Sequence, residues 1–236
     1  LLRLRFHEST IGLVMLSTRG VQSAVLAADT ALYAQRGYWL GREVLLNMAR
    51  VLRRLDMTSK SFFAVVESES CFAGSLLELL LAADRSYVLD SPEVKLATDI
   101  LNAGSLLASN GQTRLGLRSH DRPARVNEIL ARGEKGPISA TEADELGLCT
   151  VLADDLDFAD TLRLAVEERV SLSPDALTGM EQNLRFPGPD LSEGKIFGRL
   201  SAWQNWIFIR ENATGPLGAL TSYGRPERPS FDWRRT

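Results

Sequence analysis

The chain has 236 residues, of which 44% are hydrophobic and 24% are charged, a composition that excludes a disordered protein. Its 27 Lys and Arg residues against 30 Asp and Glu residues give a net charge of −3, which argues against nucleic acid as the main partner. The two cysteines, Cys71 and Cys149, are far apart, so we expect no disulfide framework and a reducing, cytoplasmic location. Two histidines cannot build a His-rich metal site, and the longest apolar run, 76–83, is far shorter than the ~20 residues of a membrane span.

Strands and helices alternate in the first part of the chain. Apolar runs that end in turn residues predict buried strands, and apolar residues at three-to-four spacing predict helices. The resulting elements are a strand over 11–16, a helix over 29–55, a strand over 61–67, a helix over 74–83 and a short strand over 87–89. This order predicts an α/β protein with crossover connections.

Helices dominate the later part. The run 97–110 is expected to be loop and short helix, and Ser139 with Glu142 forms a capping-box pattern that opens a helix ending at Gly147. The remaining elements are a small strand over 150–152, an amphipathic helix over 158–170, a helix that starts at Ser173-Pro174 and a helix over 194–210. The aromatic stripe 197–208 predicts a core or a contact between domains or chains. The group Arg42, Arg50, Arg53 and Arg54 predicts either a solvated helix face or a contact with a partner.

Glu78 is the most informative residue. It lies in a helix that is apolar on every face, with leucines and alanines at 76–77 and 79–83, which predicts a buried helix. A buried carboxylate must be paired, hydrogen-bonded, protonated or directed into a cavity, so Glu78 is a candidate proton-transfer group. The alternative is a hydrogen-bonded structural carboxylate. Cys71 is similarly open to two interpretations, a small buried hydrophobe or a nucleophile.

Two segments resemble the enoyl-CoA hydratase/isomerase (crotonase) superfamily. In the first, a strand over 60–66 leads to Ala73-Gly74-Ser75-Leu-Leu-Glu78-Leu and then to Asp84, similar to the family's central strand, glycine-rich helix start and aspartate. The second, 138–148, is similar to a later family helix. The resemblance covers about 11–157. It implies a crotonase-like ββα spiral, a CoA-thioester substrate and no cofactor other than the CoA of that substrate.

Four site residues follow from the resemblance. Glu78 matches a catalytic glutamate, and Asp99 lies near the position of the second acid. The backbone N–H groups of Ser75 and Ala28 match the pair that holds the thioester oxyanion. The resemblance is less close around Asp99 and at Ser75-Leu76, where the family keeps glycines.

The C-terminal segments 173–180, 197–208 and 212–215 resemble the C-terminal half of a two-part member of the superfamily. That enzyme opens the ring of an oxygenated benzoyl-CoA, a 2,3-epoxide or its dihydrodiol form, in aerobic benzoate degradation. The resemblance implies an α/β core over 1–157 that lacks its N-terminal part, C-terminal helices and tail over 158–236, an N-terminal crotonase-like half as partner, and a homo-oligomer. The absence of an initiator Met fits this prediction.

Three functional hypotheses remain open at this point. The chain is part of the ring-opening acyl-CoA enzyme, or a non-catalytic half that serves structure and oligomerisation, or a stand-alone hydratase or isomerase. The less close match around Asp99 favours a non-catalytic role for this half.

Overall fold

The computed structural model describes residues 1–188 and 190–235. Within them the strands are β1 (Leu13–Leu16), β2 (Ser61–Val66), β3 (Arg85–Leu89), β4 (Lys95–Leu96), β5 (Ile138–Ser139) and β6 (Val151–Ala153). The helices up to the middle of the chain are α1 (Leu2–Phe6), α2 (Gln22–Ala34), α3 (Trp39–Asp56), α4 (Leu77–Ala82), α5 (Arg114–Arg118) and α6 (Ala124–Gly133). The later ones are α7 (Ala140–Glu145), α8 (Phe158–Ser171), α9 (Pro174–Arg185), α10 (Ser201–Phe208) and α11 (Glu211–Thr214).

The described part of the chain also contains three 3₁₀-helices and one π-helix. The 3₁₀-helices are Gly74–Leu76, Ile100–Ala103 and Trp233–Arg235, and the π-helix is Gly194–Leu200. No helix in the described ranges is both long enough and apolar enough to cross a bilayer. The predicted α/β class is confirmed by this element order and by a four-stranded sheet in the order β1-β2-β3-β6.

Parallel pairing joins the central strands. Phe63 of β2 pairs with Arg85 of β3, and Tyr87 of β3 pairs with Val151 of β6. All six residues of β2 are buried, as expected of a parallel strand covered on both faces. The short β4 and β5 form a separate antiparallel pair.

The chain divides into two compact units. One comprises residues 15–57 and 62–163, and the other comprises 1–14, 58–61 and the chain from 164 onward. In the second of these, the buried Arg169 donates to the Ser61 hydroxyl and, at 3.1 Å, to the carbonyl of Gly12, while the Ser61 hydroxyl donates to Glu181. The predicted domain boundary between residues 157 and 158 stays a prediction.

The predicted helix over 29–55 is wrong in extent. Two helices, α2 and α3, replace it, and the break at 35–38 contains Gly37, which lowers helix stability. The helix predicted over 194–210 likewise divides into the π-helix and α10. The capping box is confirmed, because Ser139 Oγ accepts from the N–H of Glu142 while the Glu142 carboxylate accepts from the N–H of Ser139.

Candidate functional site

Glu78 lies in the first turn of α4 and is only 2% exposed. One carboxylate oxygen accepts from Nδ2 of Asn102 at 2.7 Å, and the other accepts from Nη1 of Arg114 at 3.1 Å. Burial raises the pKa of the Glu78 carboxyl, whereas the hydrogen bonds from Asn102 and Arg114 and the charge of Arg114 oppose that rise. Both oxygens are thus held by protein donors, which is the arrangement of a structural carboxylate.

Arg114 connects Glu78 to a second buried acid. Its Nη2 lies 2.9 and 3.0 Å from the two carboxylate oxygens of Asp56, at the end of α3, and its Nη1 also donates to the Leu106 carbonyl at 3.0 Å. The guanidinium is 2% exposed. Two carboxylates share one guanidinium here, so the cluster carries one excess negative charge when both are ionised. Protonation of Glu78 would remove this charge, which agrees with its raised pKa.

Asn102 connects this cluster to the turn at Gly74 that precedes α4. Its Nδ2 also donates to the Gly74 carbonyl at 3.0 Å, and its Oδ1 accepts from the N–H of Asp99 at 2.9 Å. A single amide side chain therefore fixes Glu78, the turn at Gly74 and the beginning of the 3₁₀-helix Ile100–Ala103.

The backbone N–H of Ser75 already has an acceptor within the protein. Oδ2 of Asp29, from the middle of α2, accepts from it at 2.6 Å, and Asp29 is only 4% exposed. This is the donor that the sequence resemblance assigns to a thioester oxygen. The predicted partner donor, Ala28, lies in the interior of α2, where backbone N–H groups donate to carbonyls four residues earlier.

Asp99 caps a helix and contacts Asp29. Its Oδ1 accepts from the N–H of Leu101 at 2.9 Å, whereas its buried Oδ2 has no donor from another group. Burial raises the pKa of Asp99 to about 6, and the neighbouring Asp29 carboxyl adds to that rise. Asp99 is therefore an acid that holds its proton up to about pH 6, and it lies beside Asp29 and not beside Glu78.

The structure brings three of the four predicted site residues into one neighbourhood. Glu78, Ser75 and Asp99 are linked through Asn102, Gly74 and Asp29, while the N–H of Ala28 is inside a helix. Whether any of them takes part in catalysis stays a prediction.

Neither thiol is activated. Cys71 and Cys149 are both buried and free, and burial raises the pKa of Cys71 and raises that of Cys149 to about 12. A thiol with a raised pKa is a poor nucleophile at neutral pH, so the interpretation of Cys71 as a small buried hydrophobe is favoured. Among the described residues, no three His, Cys, Asp or Glu side chains are grouped as metal ligands.

Four residues that contact the predicted site residues, or are hydrogen-bonded to one another beside them, were not predicted from the sequence, namely Asp29, Asp56, Asn102 and Arg114. Asp29 carried a usable signal, because it stands in the apolar run 24–32 just as Glu78 stands among leucines. Asp56 follows Arg53, Arg54 and Leu55 at the end of a helix, and this local sequence gives no sign that the carboxylate is buried. Asn102 and Arg114 lie in a segment whose polar residues show no period.

Comparison with known proteins gives one curated relative and many solved structures. The chain is 46% identical over its whole length to benzoyl-CoA-dihydrodiol lyase from Aromatoleum evansii, and it spans 42% of that protein's length. No protein-family model matches the chain. The match confirms the resemblance predicted from the C-terminal segments.

The solved structures show the fold. An enoyl-CoA hydratase/isomerase from Cupriavidus metallidurans superposes with a TM-score of 0.68 at 20% identity, covering 96% of this chain and 81% of that one. An enoyl-CoA hydratase from Geobacillus kaustophilus gives 0.66 at 14% identity, covering 94% of each chain. The chain therefore has the crotonase fold of the enoyl-CoA hydratases and isomerases, and its whole length is similar to part of a benzoyl-CoA-dihydrodiol lyase.

Proposed function

We propose that the chain is a segment of a cytoplasmic benzoyl-CoA-dihydrodiol lyase and serves there as a non-catalytic half. The observation that carries the lyase assignment is the 46% identity over the entire chain. The full-length enzyme would open the ring of a 2,3-epoxybenzoyl-CoA or its dihydrodiol form. Its chemistry would reside in an N-terminal crotonase-like half, the partner inferred from the sequence. The CoA enters as part of the substrate, with no further cofactor.

The non-catalytic role is supported by what holds the candidate groups. A general base must lie within hydrogen-bond reach of the proton that it removes. Glu78 is only 2% exposed, and its two carboxylate oxygens accept hydrogen bonds from Asn102 and Arg114, which supports a structural role for this carboxylate. This packing favours the structural alternative over a stand-alone hydratase or isomerase.

The assignment is tested by the turnover of two proteins on three substrates, namely benzoyl-CoA dihydrodiol, its epoxide and crotonyl-CoA. The full-length native protein should open the ring of benzoyl-CoA dihydrodiol or its epoxide, and the 236-residue chain should show no turnover of it above the uncatalysed rate. Ring opening by the chain alone would show that this segment is catalytic. Failure of the full-length protein on both forms would overturn the lyase assignment. Hydration of crotonyl-CoA by the chain alone would instead establish the stand-alone hydratase.

Self-association is expected of the isolated chain. The π-helix, α10 and the residue directly after α10 expose large apolar side chains in a row along the chain, of which Phe197 is 70% exposed, together with Leu200, Phe208 and Ile209. Apolar surface of this kind marks contact sites and promotes association. We expect sedimentation velocity to show concentration-dependent dimers or larger species, and Phe197→Ser to reduce them.

The matched control is Leu156→Ser, since Leu156 is 84% exposed but lies outside this row. It should leave the association unchanged. A stable monomer at high concentration would contradict the proposed oligomerising role.

A further inference from the structure

Two carboxyl groups meet above Gly74. A β-carbon placed on Gly74 would overlap Oδ2 of Asp29 and would lie 2.8 Å from Oδ2 of Asp99. The backbone of Gly74 has φ of +50°, a conformation that glycine adopts without strain. The turn thus has room for both carboxyl groups only because residue 74 has no side chain.

The two acids come from different elements and hold them together. Asp29 belongs to α2 and accepts the Ser75 N–H at 2.6 Å, while Asp99 caps the 3₁₀-helix Ile100–Ala103 through the N–H of Leu101. Oδ2 of Asp99 is buried and receives no N–H or O–H from another group. A carboxyl oxygen in that position is satisfied when it carries a proton and donates it to the adjacent carboxylate.

We propose that Asp29 and Asp99 form a proton-dependent latch, in which a proton shared between their carboxyl groups keeps the Ser75 N–H occupied by the protein's own carboxylate. When the latch is closed, the oxygen of a CoA thioester cannot reach this N–H. The inference rests on the proposed function only for the identity of the excluded ligand, a CoA thioester. The contact between the two carboxyl groups and the occupation of the Ser75 N–H rest on the geometry alone.

The charges around the pair set the direction of the pH dependence. Burial and the neighbouring Asp29 raise the pKa of Asp99 to about 6, against the hydrogen bonds from Leu101 and Asn102. Glu78 of α4 is the other acid on an element packed here, and it is held by Asn102 and Arg114. Above about pH 6 the shared proton leaves to water, and two like charges then remain side by side.

Folding raises the pKa of Asp99, and this couples the stability of the folded protein to pH. Between an unfolded value near 3.8 and a folded value of about 6, the folded protein binds more protons than the unfolded chain, so stability falls as the pH rises through this window. A shift of two pKa units corresponds to a factor of about 100 in the equilibrium between the closed latch, in which Asp29 holds the Ser75 N–H, and the open latch. Asp99 is partly open to solvent, which screens the interaction, so we expect a factor of about 10 or more.

Asp99→Asn removes the proton dependence and keeps the contacts. The amide oxygen can still cap Leu101, since Asn is as good an N-cap as Asp, and the NH₂ group can donate to Asp29 at every pH. Hydrogen exchange of the full-length native protein, corrected for intrinsic rates, should show protection of the Ser75 amide falling about tenfold or more from pH 5 to pH 8. In Asp99→Asn the protection should stay constant. The variant's melting temperature should equal that of the unaltered protein at pH 4 and exceed it by about 3–5 °C at pH 7.

A pair of glycine variants tests the geometry independently. Gly74→Ala should leave the Ser75 amide unprotected at every pH, because the added methyl group displaces both carboxyl groups. Gly111→Ala is the matched control, since Gly111 also has a positive φ of +81° but no atom lies within 4 Å of its added β-carbon. In Gly111→Ala the protection of the Ser75 amide should change with pH as it does in the unaltered protein.

The same pH profile in Asp99→Asn and in the unaltered protein would overturn the latch, as would full Ser75 protection in Gly74→Ala. These readouts need no substrate. If the full-length protein failed in the lyase assay but its Ser75 amide showed the expected pH-dependent protection, the proposed function would be refuted and the latch would be supported.

Discussion

Replacement of Arg114 by methionine should lower the free energy of unfolding by about 3–5 kcal/mol. The guanidinium is 2% exposed and neutralises two buried carboxylates, Asp56 and Glu78. Removing it leaves two acids without their counter-ion in a site that water does not reach, and a buried unpaired charge is far more costly than a lost surface ion pair. Methionine keeps the apolar stem of the side chain, so the loss reports mainly the removal of the guanidinium charge and its hydrogen bonds. Chemical denaturation of the two proteins measures the difference.

Arg122→Met is the matched control. Arg122 contacts Glu128 at 2.9 Å, as close as the contacts of Arg114, but the two side chains are 54% and 46% exposed. Exposed ion pairs contribute about 0–1 kcal/mol, so this variant should unfold almost as the unaltered protein does. Equal losses in the two variants would show that the Arg114 cluster is solvated and not buried.

Adding Glu78→Leu to Arg114→Met should recover part of the lost stability. Glu78 then no longer presents a charge that needs a partner, and apolar replacement of a whole buried ionic group is often neutral. Asp56 keeps the N–H of Ser109 as a donor at 3.1 Å, so its charge remains partly satisfied. A further loss in the double variant would mean that Glu78 contributes to stability independently of Arg114.

The elements that the sequence predicted correctly are those with local signals. The continuous apolar run at 62–66 marks β2, the Ser139–Glu142 pair marks the start of α7, and Pro174 marks the first turn of α9. Each of these signals lies within a few residues, and the physical effect that produces it acts over the same distance. The crotonase fold itself was recognised from the motifs around Glu78 and at 138–148.

The contacts that decide the character of the site are long-range. Asp29 and Ser75 are 46 residues apart, and Arg114 and Asp56 are 58 residues apart. The sequence predicted a buried Glu78 that needs a partner, yet it offered no way to choose Arg114 among the many arginines. The occupied Ser75 N–H was equally hidden, because it depends on the path of α2 over the turn at Gly74.

Glu78→Gln should lower stability and leave turnover nearly unchanged in the full-length native protein. Glutamine keeps the shape of the side chain and one carbonyl oxygen, but its NH₂ group must face Asn102 or Arg114, both of which are donors to Glu78. One of the two buried hydrogen bonds is then lost, at about 1–3 kcal/mol. If Glu78 transferred the proton in the reaction, turnover would instead fall by about 10²–10⁴.

The two outcomes separate when turnover on the benzoyl-CoA-derived substrate and melting temperature are measured on the same preparations. Glu128→Gln, a change of the same atoms at an exposed position, should alter neither quantity and so sets the baseline. The burial of Glu78 and its hydrogen bonds with Asn102 and Arg114 favour a lower melting temperature with turnover retained. A hundredfold fall in turnover at an unchanged melting temperature would make Glu78 a catalytic residue, and Arg114 and Asn102 would then be the groups that set its pKa.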